Sequence, residues 1–235
     1  MKHLIETTDS SSLPITRYDR IILDSTTNEI VCKGGGYEYV DLGLPSGLKW
    51  AKCNIGAETE TDAGLYFAWG ETTGYTANQV GTDKTFRIFD YKHWFSSSNS
   101  IIKYNSSDGK TVLDPEDDAA TQIMGGDWRM PTEAELRELL NGTTNEWIAN
   151  YNGSGINGRT FTSKTNGNSI FIPAAGDCRD GSVYNVDRNG SIWSSSLSSP
   201  INNALGLTLK AVGSGDCDIF GPIRYHGYSV RGVFK

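Results

Sequence analysis

Framework runs and patternless runs alternate through the last third of this chain, and that alternation restricts the fold more than any other feature. The runs Ser169-Ile170-Phe171-Ile172-Pro173-Ala174-Ala175-Gly176, Trp193-Ser194-Ser195-Ser196 and Gly227-Tyr228-Ser229-Val230-Arg231 read as framework. Between them lie segments of no evident pattern. One of these, residues 213–226, gathers Asp216, Cys217, Asp218, Ile219, Phe220, Pro222, Ile223, Tyr225 and His226. Charged, apolar and aromatic side chains mixed on a loop between strands are how a rigid scaffold displays a contact surface. The expectation is binding rather than catalysis.

A chain of 235 residues has volume for one large or two small domains. Its 27 glycines, with abundant Asn, Ser and Thr, favour turns and short strands over long helices. The net charge of -7 speaks against nucleic acid, since phosphate contacts need a basic face. No apolar run approaches the roughly 18 residues of a membrane helix, so membrane insertion is not expected. The first nine residues lack the apolar core of a secretory signal. Either the chain is not exported by that route, or a signal has been removed from it. Cys32, Cys53, Cys178 and Cys217 form no Cys-x-x-Cys pair, which argues against zinc. A Cys178–Cys217 disulfide is conceivable if their loops meet; free thiols are the favoured reading.

Residues 1–36 read as an arm, used for attachment to a larger assembly or for homo-oligomerisation. Asp9-Ser10-Ser11-Ser12 is flexible in composition, and Leu13-Pro14-Ile15 begins an extended stretch. Tyr18 to Leu23 and Glu29 to Lys33 flank the turn-prone residues 24–28 and predict a hairpin. Gly34-Gly35-Gly36 reads as a hinge. A lone hairpin is marginal in water, so it must pack on the main domain, on copies of itself or on an assembly. Residues 37–235 form the globular part.

Within it, strands are predicted at 38–42, 48–53 and 65–69, and residues 70–112 read as long ordered loops. A first helix is predicted near Asp114-Pro115-Glu116-Asp117-Asp118, with Asp114 as cap, and Gly125-Gly126 ending it. A second is capped by Thr132 with Glu135 as its capping-box partner. Leu136, Leu139 and Leu140 face the core, and Gly142 stops it. Asn166-Gly167 and Asn189-Gly190 read as two-residue turns.

Four motifs in order carry a family resemblance. They are Tyr39-Val40-Asp41-Leu42-Gly43-Leu44-Pro45-Ser46-Gly47-Leu48-Lys49-Trp50-Ala51, Tyr66-Phe67-Ala68-Trp69-Gly70-Glu71, Asp127-Trp128-Arg129-Met130-Pro131-Thr132 and Ile170 to Gly176. They resemble a group of C-type-lectin-fold domains from gut bacteria and their phages, distant relatives of the formylglycine-generating enzyme fold. The likeness runs from about Tyr39 to Val233 and leaves out the arm. It implies an α+β, C-type lectin fold. Two short helices would pack on small, twisted antiparallel sheets with long ordered loops, after an N-terminal β-hairpin arm.

The C-terminal layout further resembles the variable proteins of diversity-generating retroelements, a group that includes the phage major tropism determinants. In those proteins adenine-specific mutagenesis rewrites chosen codons near the end of the gene, and the fold displays the altered side chains. The resemblance places such a surface at Tyr184, Ser191, Ile192, Leu197, Asn202, Leu205, Gly206, Thr208, Asp216, Asp218, Ile219, Phe220, Ile223, Tyr225 and His226. Gly232 stands where related domains usually have Pro, a departure that does not touch this surface. Members that are not diversified share the framework, so a diversified and a plain binding domain both stay open.

Blander readings compete at several positions. Trp193 reads better as core, with Ser194 to Ser196 satisfying backbone groups, than as part of a ligand site. Leu207 and Leu209 share a parity that predicts burial, while Leu205 is open. Phe220 and Ile223 are either plugs on the core or exposed anchors for a partner. Tyr225 and His226 could meet a ligand through ring faces and polar tips. Asp114, Glu116, Asp117 and Asp118 resemble a calcium cluster, but a helix start explains them without metal. Asp216 and Asp218 could serve calcium or a cationic ligand.

No cofactor is expected. Only His3, His93 and His226 are present, and there is no His-Glu-x-x-His, Gly-x-Ser-x-Gly or phosphate-binding loop. Formylglycine-generating relatives rely on cysteines at a copper site, and Cys178 and Cys217 match no such motif. The expected function is a non-catalytic binding protein that meets a cell-surface protein or glycan, with several copies raising avidity. The lack of an export signal at the start favours a phage tail tip in the virion; the alternative is a bacterial cell-surface adhesin.

Overall fold

Both ends of the globular part are strands of one sheet, and that pairing sets the frame on which the rest is hung. The structure, a computed structural model, describes residues 19–23, 30–34, 36–95, 97–98, 100–199, 201–211 and 217–235. In chain order come β1 (Asp19–Leu23), β2 (Ile30–Gly34), β3 (Tyr37–Asp41), β4 (Lys49–Ala51), β5 (Tyr66–Phe67), β6 (Trp94–Phe95) and β7 (Ser100–Ile101). Helices α1 (Ala119–Met124) and α2 (Glu133–Gly142) follow. Then come β8 (Thr143–Ile148), β9 (Gly158–Ser163), β10 (Ser169–Pro173), β11 (Asp177–Arg179) and β12 (Ser182–Tyr184). The last are β13 (Asn189–Leu197), β14 (Ala204–Lys210), β15 (Cys217–Phe220), β16 (Tyr228–Ser229) and β17 (Val233–Phe234). The molecule is mixed α+β, with small sheets and two short α-helices among the described residues.

One sheet runs β1-β2-β3-β4-β17, so that Trp50 lies opposite Val233. The other five-stranded sheet runs β15-β14-β13-β16-β5, antiparallel except where Ile192 meets Ser229. The hairpin expected in the arm is present. Asp19 to Leu23 pairs with Ile30 to Gly34, and β2 continues onto β3 through Lys33↔Glu38 and Gly34↔Tyr37. The Gly34–Gly36 hinge is a correction: Gly34 belongs to β2, and Gly36 at φ +94° starts the return into β3. Residues 1–18 and the turn at 24–28 lie outside the described residues.

β13 and β14 are enclosed on both faces. On one side, Ile192, Leu207 and Leu209 join Leu42, Leu44, Leu48, Trp50, Leu136, Leu139 and Phe161. On the other, Trp193 and Ala204 join Phe67, Trp69, Trp128 and Tyr228. Leu136 and Leu139 are fully buried, each contributing about 1.5–3 kcal/mol by leaving water. The indoles stitch the second layer: Trp69 Nε1 donates to the Ser194 carbonyl at 2.8 Å, and Trp193 Nε1 to the Phe67 carbonyl at 2.7 Å. Trp193 is therefore core. Its serines bond backbone too: Ser194 Oγ donates to Leu205 O, and Ser196 Oγ accepts from the Glu133 amide at the start of α2.

The second helix forms as its caps dictate, with Thr132 Oγ1 accepting from the Glu135 amide and Glu135 returning the bond to the Thr132 amide. The first is shorter than its sequence implies. Asp114-Pro115 opens only a 3₁₀ turn at Pro115–Asp117, and Asp118 caps α1 by accepting from the Thr121 amide. Asp118 also accepts from the Met130 amide, a long-range bond that fixes where the helix begins. Asn189-Gly190 is not a turn. Gly190 lies in β13 opposite Leu209, and a Cβ there would sit 2.6 Å from the Pro173 carbonyl. The glycine answers a close approach rather than a bend. Asn166-Gly167 does lie in a loop between β9 and β10, with Gly167 at φ +78°.

Candidate binding surface

Three elements meet beside the β13–β14–β15 sheet: the β11–β12 hairpin, the edge strand β15 and the loop 221–227. The hairpin is tied to the loop by reciprocal amide–carbonyl bonds between Cys178 and Gly227, each 2.8 Å. On β15, Asp218 and Phe220 alternate and so share a face. Phe220 packs edge-on against Tyr228 with ring centres 5.8 Å apart. Tyr228 lies in the field of Asp177 and Arg179 on the hairpin. The Arg179 guanidinium in turn covers the Tyr184 ring at 4.7 Å. His226 feels Asp177, Arg179 and Asp180 and stands edge-on to Tyr225 at 5.2 Å. Burial pushes the His226 imidazole below its ordinary value despite the attraction of Asp177, so the ring is neutral at pH 7.

Tyr184, Phe220, Tyr225 and His226 are thus linked by contacts or by neighbouring charge, and Asp218 shares the face of Phe220; Tyr184 and Asp218 are exposed and the others half-buried. Asn202 is exposed, and Leu197, Leu205, Ile219 and Ile223 are half-buried. Leu197 packs on the Trp193 side and Ile219 on the Leu207 side. Asp216 lies outside the described residues. Four expected display positions are buried instead: Ser191, Ile192, Gly206 and Thr208. Ile192 is core, opposite Leu207. Gly206 sits between Trp193 and Phe220 in register, where a Cβ would press on the Ile192 carbonyl at 2.7 Å. Ser191 and Thr208 face each other across the central strands. The cause is common to all four, since strands covered on both faces cannot alternate in and out of water.

A groove of about 270 Å³ opens alongside, lined by Ile88, Tyr91, Trp94, Ile101, Asn202, Asn203, Ile223, Arg224 and Tyr225. Only Asn202, Ile223 and Tyr225 of these are among the expected site residues. The others come from residues 70–112, the segment read as loops, and from Asn203 and Arg224, which nothing local marks. Arg224 is fully buried, yet no carboxylate among the described residues pairs with it. Its guanidinium donates to the carbonyls of Lys103, Tyr104 and Ile201 at 2.9–3.0 Å and to Tyr91 Oη at 3.1 Å. Backbone dipoles and the ring faces of Trp69 and Tyr91 substitute for water around the charge. This one side chain ties the loop 221–227 to Tyr91, Lys103, Tyr104 and Ile201.

The acidic cluster lies elsewhere. Carboxylate oxygens of Asp114, Glu116 and Asp117 come within 4.8 Å of one another, an arrangement that could take a hard cation. Their oxygens are already engaged: Lys103 reaches all three at 2.6–3.0 Å, Lys110 reaches Asp114 and Lys92 reaches Asp117. Burial opposes ionisation of Asp117, but bonds from Lys103, Lys92 and Tyr104 outweigh it and hold the carboxyl far below its usual range.

Cys178 is a buried free thiol, which excludes the 178–217 bridge. Burial raises its pKa well above the ordinary value, so it is no thiolate at neutral pH. No helix among the described residues is long and apolar enough to cross a membrane. Comparison with protein-family models, with curated proteins and with solved structures finds no match to this chain.

Proposed function

We propose that this chain is a non-catalytic binding protein of the C-type lectin fold, related to retroelement variable proteins, whose C-terminal surface contacts a molecule on a cell. One geometric observation carries the reading. Tyr184, Phe220, Tyr225 and His226, from a hairpin, an edge strand and a loop, are joined by ring contacts or neighbouring charge beside a sheet whose central strands are sealed on both faces, and Asp218 shares the face of Phe220 on β15. Tyr184, Asp218 and His226 belong to none of the core clusters, so their identity can change at little cost to folding. The mechanism is complementarity of shape and side chains with no covalent step. The β1–β2 hairpin, an extension of the β3–β4 sheet, would join the domain to a carrier or to further copies.

The test is binding of the labelled protein to a panel of intact bacterial cells by flow cytometry. Asp218→Lys and Tyr184→Ala should each weaken binding at least about tenfold, the effect of removing one interface contact worth about 1.4 kcal/mol. Their urea midpoints should match the parent. Undiminished binding by both variants sinks the reading. A reverse transcriptase gene beside an adenine-rich near-copy of the coding 3′ end would mark a diversified phage receptor-binding protein. Without that pair, an undiversified bacterial adhesin is the reading left.

A further inference from the structure

We propose that Asp117 and Tyr104 are positioning residues for the contact surface, acting on loop 221–227 through Arg224. The inference rests on the binding reading above, because that loop bears Ile223, Tyr225 and His226. The Asp117 carboxylate meets Lys92, Lys103, Tyr104 and His93, none of them in the loop. The link to the loop runs through Lys103 and Tyr104.

Those two residues hold a partner at each end. Their carbonyls accept from Arg224, Lys103 O from Nη2 and Tyr104 O from Nη1, each at 2.9 Å. Their side chains grip the acidic turn. Lys103 Nζ reaches Asp114, Glu116 and Asp117 at 2.8, 3.0 and 2.6 Å. Tyr104 Oη donates to Asp117 Oδ2 at 2.7 Å and accepts from the Asp114 amide at 2.9 Å. The Tyr104 amide donates to Asp108 Oδ2 at 2.5 Å.

The backbone makes the side-chain bonds matter to the carbonyls. Only the φ and ψ of Tyr104 set one carbonyl against the other, and an extended residue turns successive carbonyls to opposite sides. Tyr104 lies instead at φ +57°, in the left-handed region, where a bulky residue is strained. Such strain persists only where the surroundings over-determine it. Here they are the bonds to Asp108, Asp114 and Asp117, and a fully buried ring edge-on to Trp69 at 5.1 Å. Both carbonyls then reach one guanidinium. The Arg224 main chain carries the constraint onward, its carbonyl accepting from the Trp69 amide at 2.8 Å and its amide donating to Asn202 O at 3.1 Å. Releasing Tyr104 lets it relax toward an unstrained conformation and turns a carbonyl away from Arg224.

Coupling of this kind is read by changing one end and watching the other. The experiment uses the full chain, labelled with nitrogen-15, with its amide signals assigned. Tyr104→Phe deletes Oη and leaves Asp117 its two lysines; Asp117→Asn removes the charge without touching the loop. Both should shift or broaden the amide signals of Arg224, Tyr225, His226 and Gly227 while those of β9 and β10 stay in place. Thr132→Ala, which weakens the cap of α2, should leave the loop signals alone. Tyr104→Phe should also bind intact bacterial cells about threefold to tenfold more weakly at a temperature where it is fully folded. If Asp117→Asn does not fold, Tyr104→Phe carries the test alone. Loop signals unmoved in Tyr104→Phe, or moved equally by Thr132→Ala, overturn the proposal. So does undiminished cell binding by folded Tyr104→Phe where Asp218→Lys loses it. The two ideas fail separately. Moved loop signals with full cell binding by Asp218→Lys and Tyr184→Ala leave the linkage standing and remove the contact surface.

Discussion

The guanidinium of Arg224 lies 4.8 Å from the indole ring of Trp69, and both side chains are completely enclosed. Trp69 belongs to a framework motif, and Arg224 to a run with no pattern of its own. Their contact fastens the loop that bears Ile223 and Tyr225 to the fixed part of the molecule. Replacing Arg224 by Met leaves the carbonyls of Lys103, Tyr104 and Ile201 buried without donors. We expect a loss of roughly 3 kcal/mol or more in a urea titration. A loss under about 1 kcal/mol shows that these carbonyls find other partners.

Gly176 holds the hairpin that carries Tyr184. It sits at φ +76°, and a Cβ there would come 2.1 Å from the Tyr184 carbonyl. Gly176→Ala combines left-handed strain of about 1–2 kcal/mol with a backbone clash costing about 1–3 kcal/mol more. The variant should be less stable by roughly 2–5 kcal/mol and should bind cells more weakly. A variant as stable as the parent contradicts this geometry.

The Thr132–Glu135 box does two tasks, because Glu135 also receives a two-pronged contact from Arg129 at 2.6 and 2.8 Å. Thr132→Ala should cost about 1 kcal/mol. Glu135→Ala should cost more than Thr132→Ala. Equal losses from the two, measured by thermal unfolding, argue that the Arg129 contact adds nothing.

Acid sensitivity should trace in part to His93. Burial takes its imidazole from 6.5 down to about 4, against the attraction of Asp117 and the bond to the Gly70 carbonyl. Between those values the unfolded chain binds a proton that the folded chain refuses. Stability is therefore full above pH 6.5 and falls as the pH drops toward 4, by up to about 3 kcal/mol from this ring. Asp117, held low in the fold, adds its own loss as pH falls through 3.8. His93→Gln should flatten the upper part of the curve. An unchanged slope between pH 6.5 and 4 rules His93 out as its source.

Calcium should be a weak ligand at best. To enter among Asp114, Glu116 and Asp117 it must displace Lys103, which bridges all three. The unfolding midpoint should be the same in millimolar calcium and in chelator. A midpoint that climbs steadily with calcium concentration would show a true site, by mass action.

How far each expectation carried depended on the range of the forces behind it. The cap at Thr132, the stop after Met124 and the arm hairpin rest on neighbours within a few residues, so local chemistry announced them. The start of α1 did not, because Asp118 is claimed by the Met130 amide twelve positions on. Asn189-Gly190 carries the letters of a turn, but the Pro173 carbonyl had the stronger demand on that glycine. Among the display residues, Ser191, Ile192, Gly206 and Thr208 were misplaced for one reason. Strand parity tells which residues share a face, and it is silent on whether a second layer covers that face.

The sequence by itself determined much of the framework, α2 with its caps, the arm hairpin and the apolar residues of the core, but not β15 inside the run read as a loop nor β6 and β7 inside residues 70–112. Short-range hydrogen bonding and the pull of apolar side chains out of water settle those matters residue by residue. Only the tertiary structure decided which irregular residues reach solvent together, that Arg224 ties their loop to Trp69, and that a groove forms between segments more than a hundred residues apart. Those outcomes depend on which layer lands on which, a property of the assembled chain that no local pattern encodes.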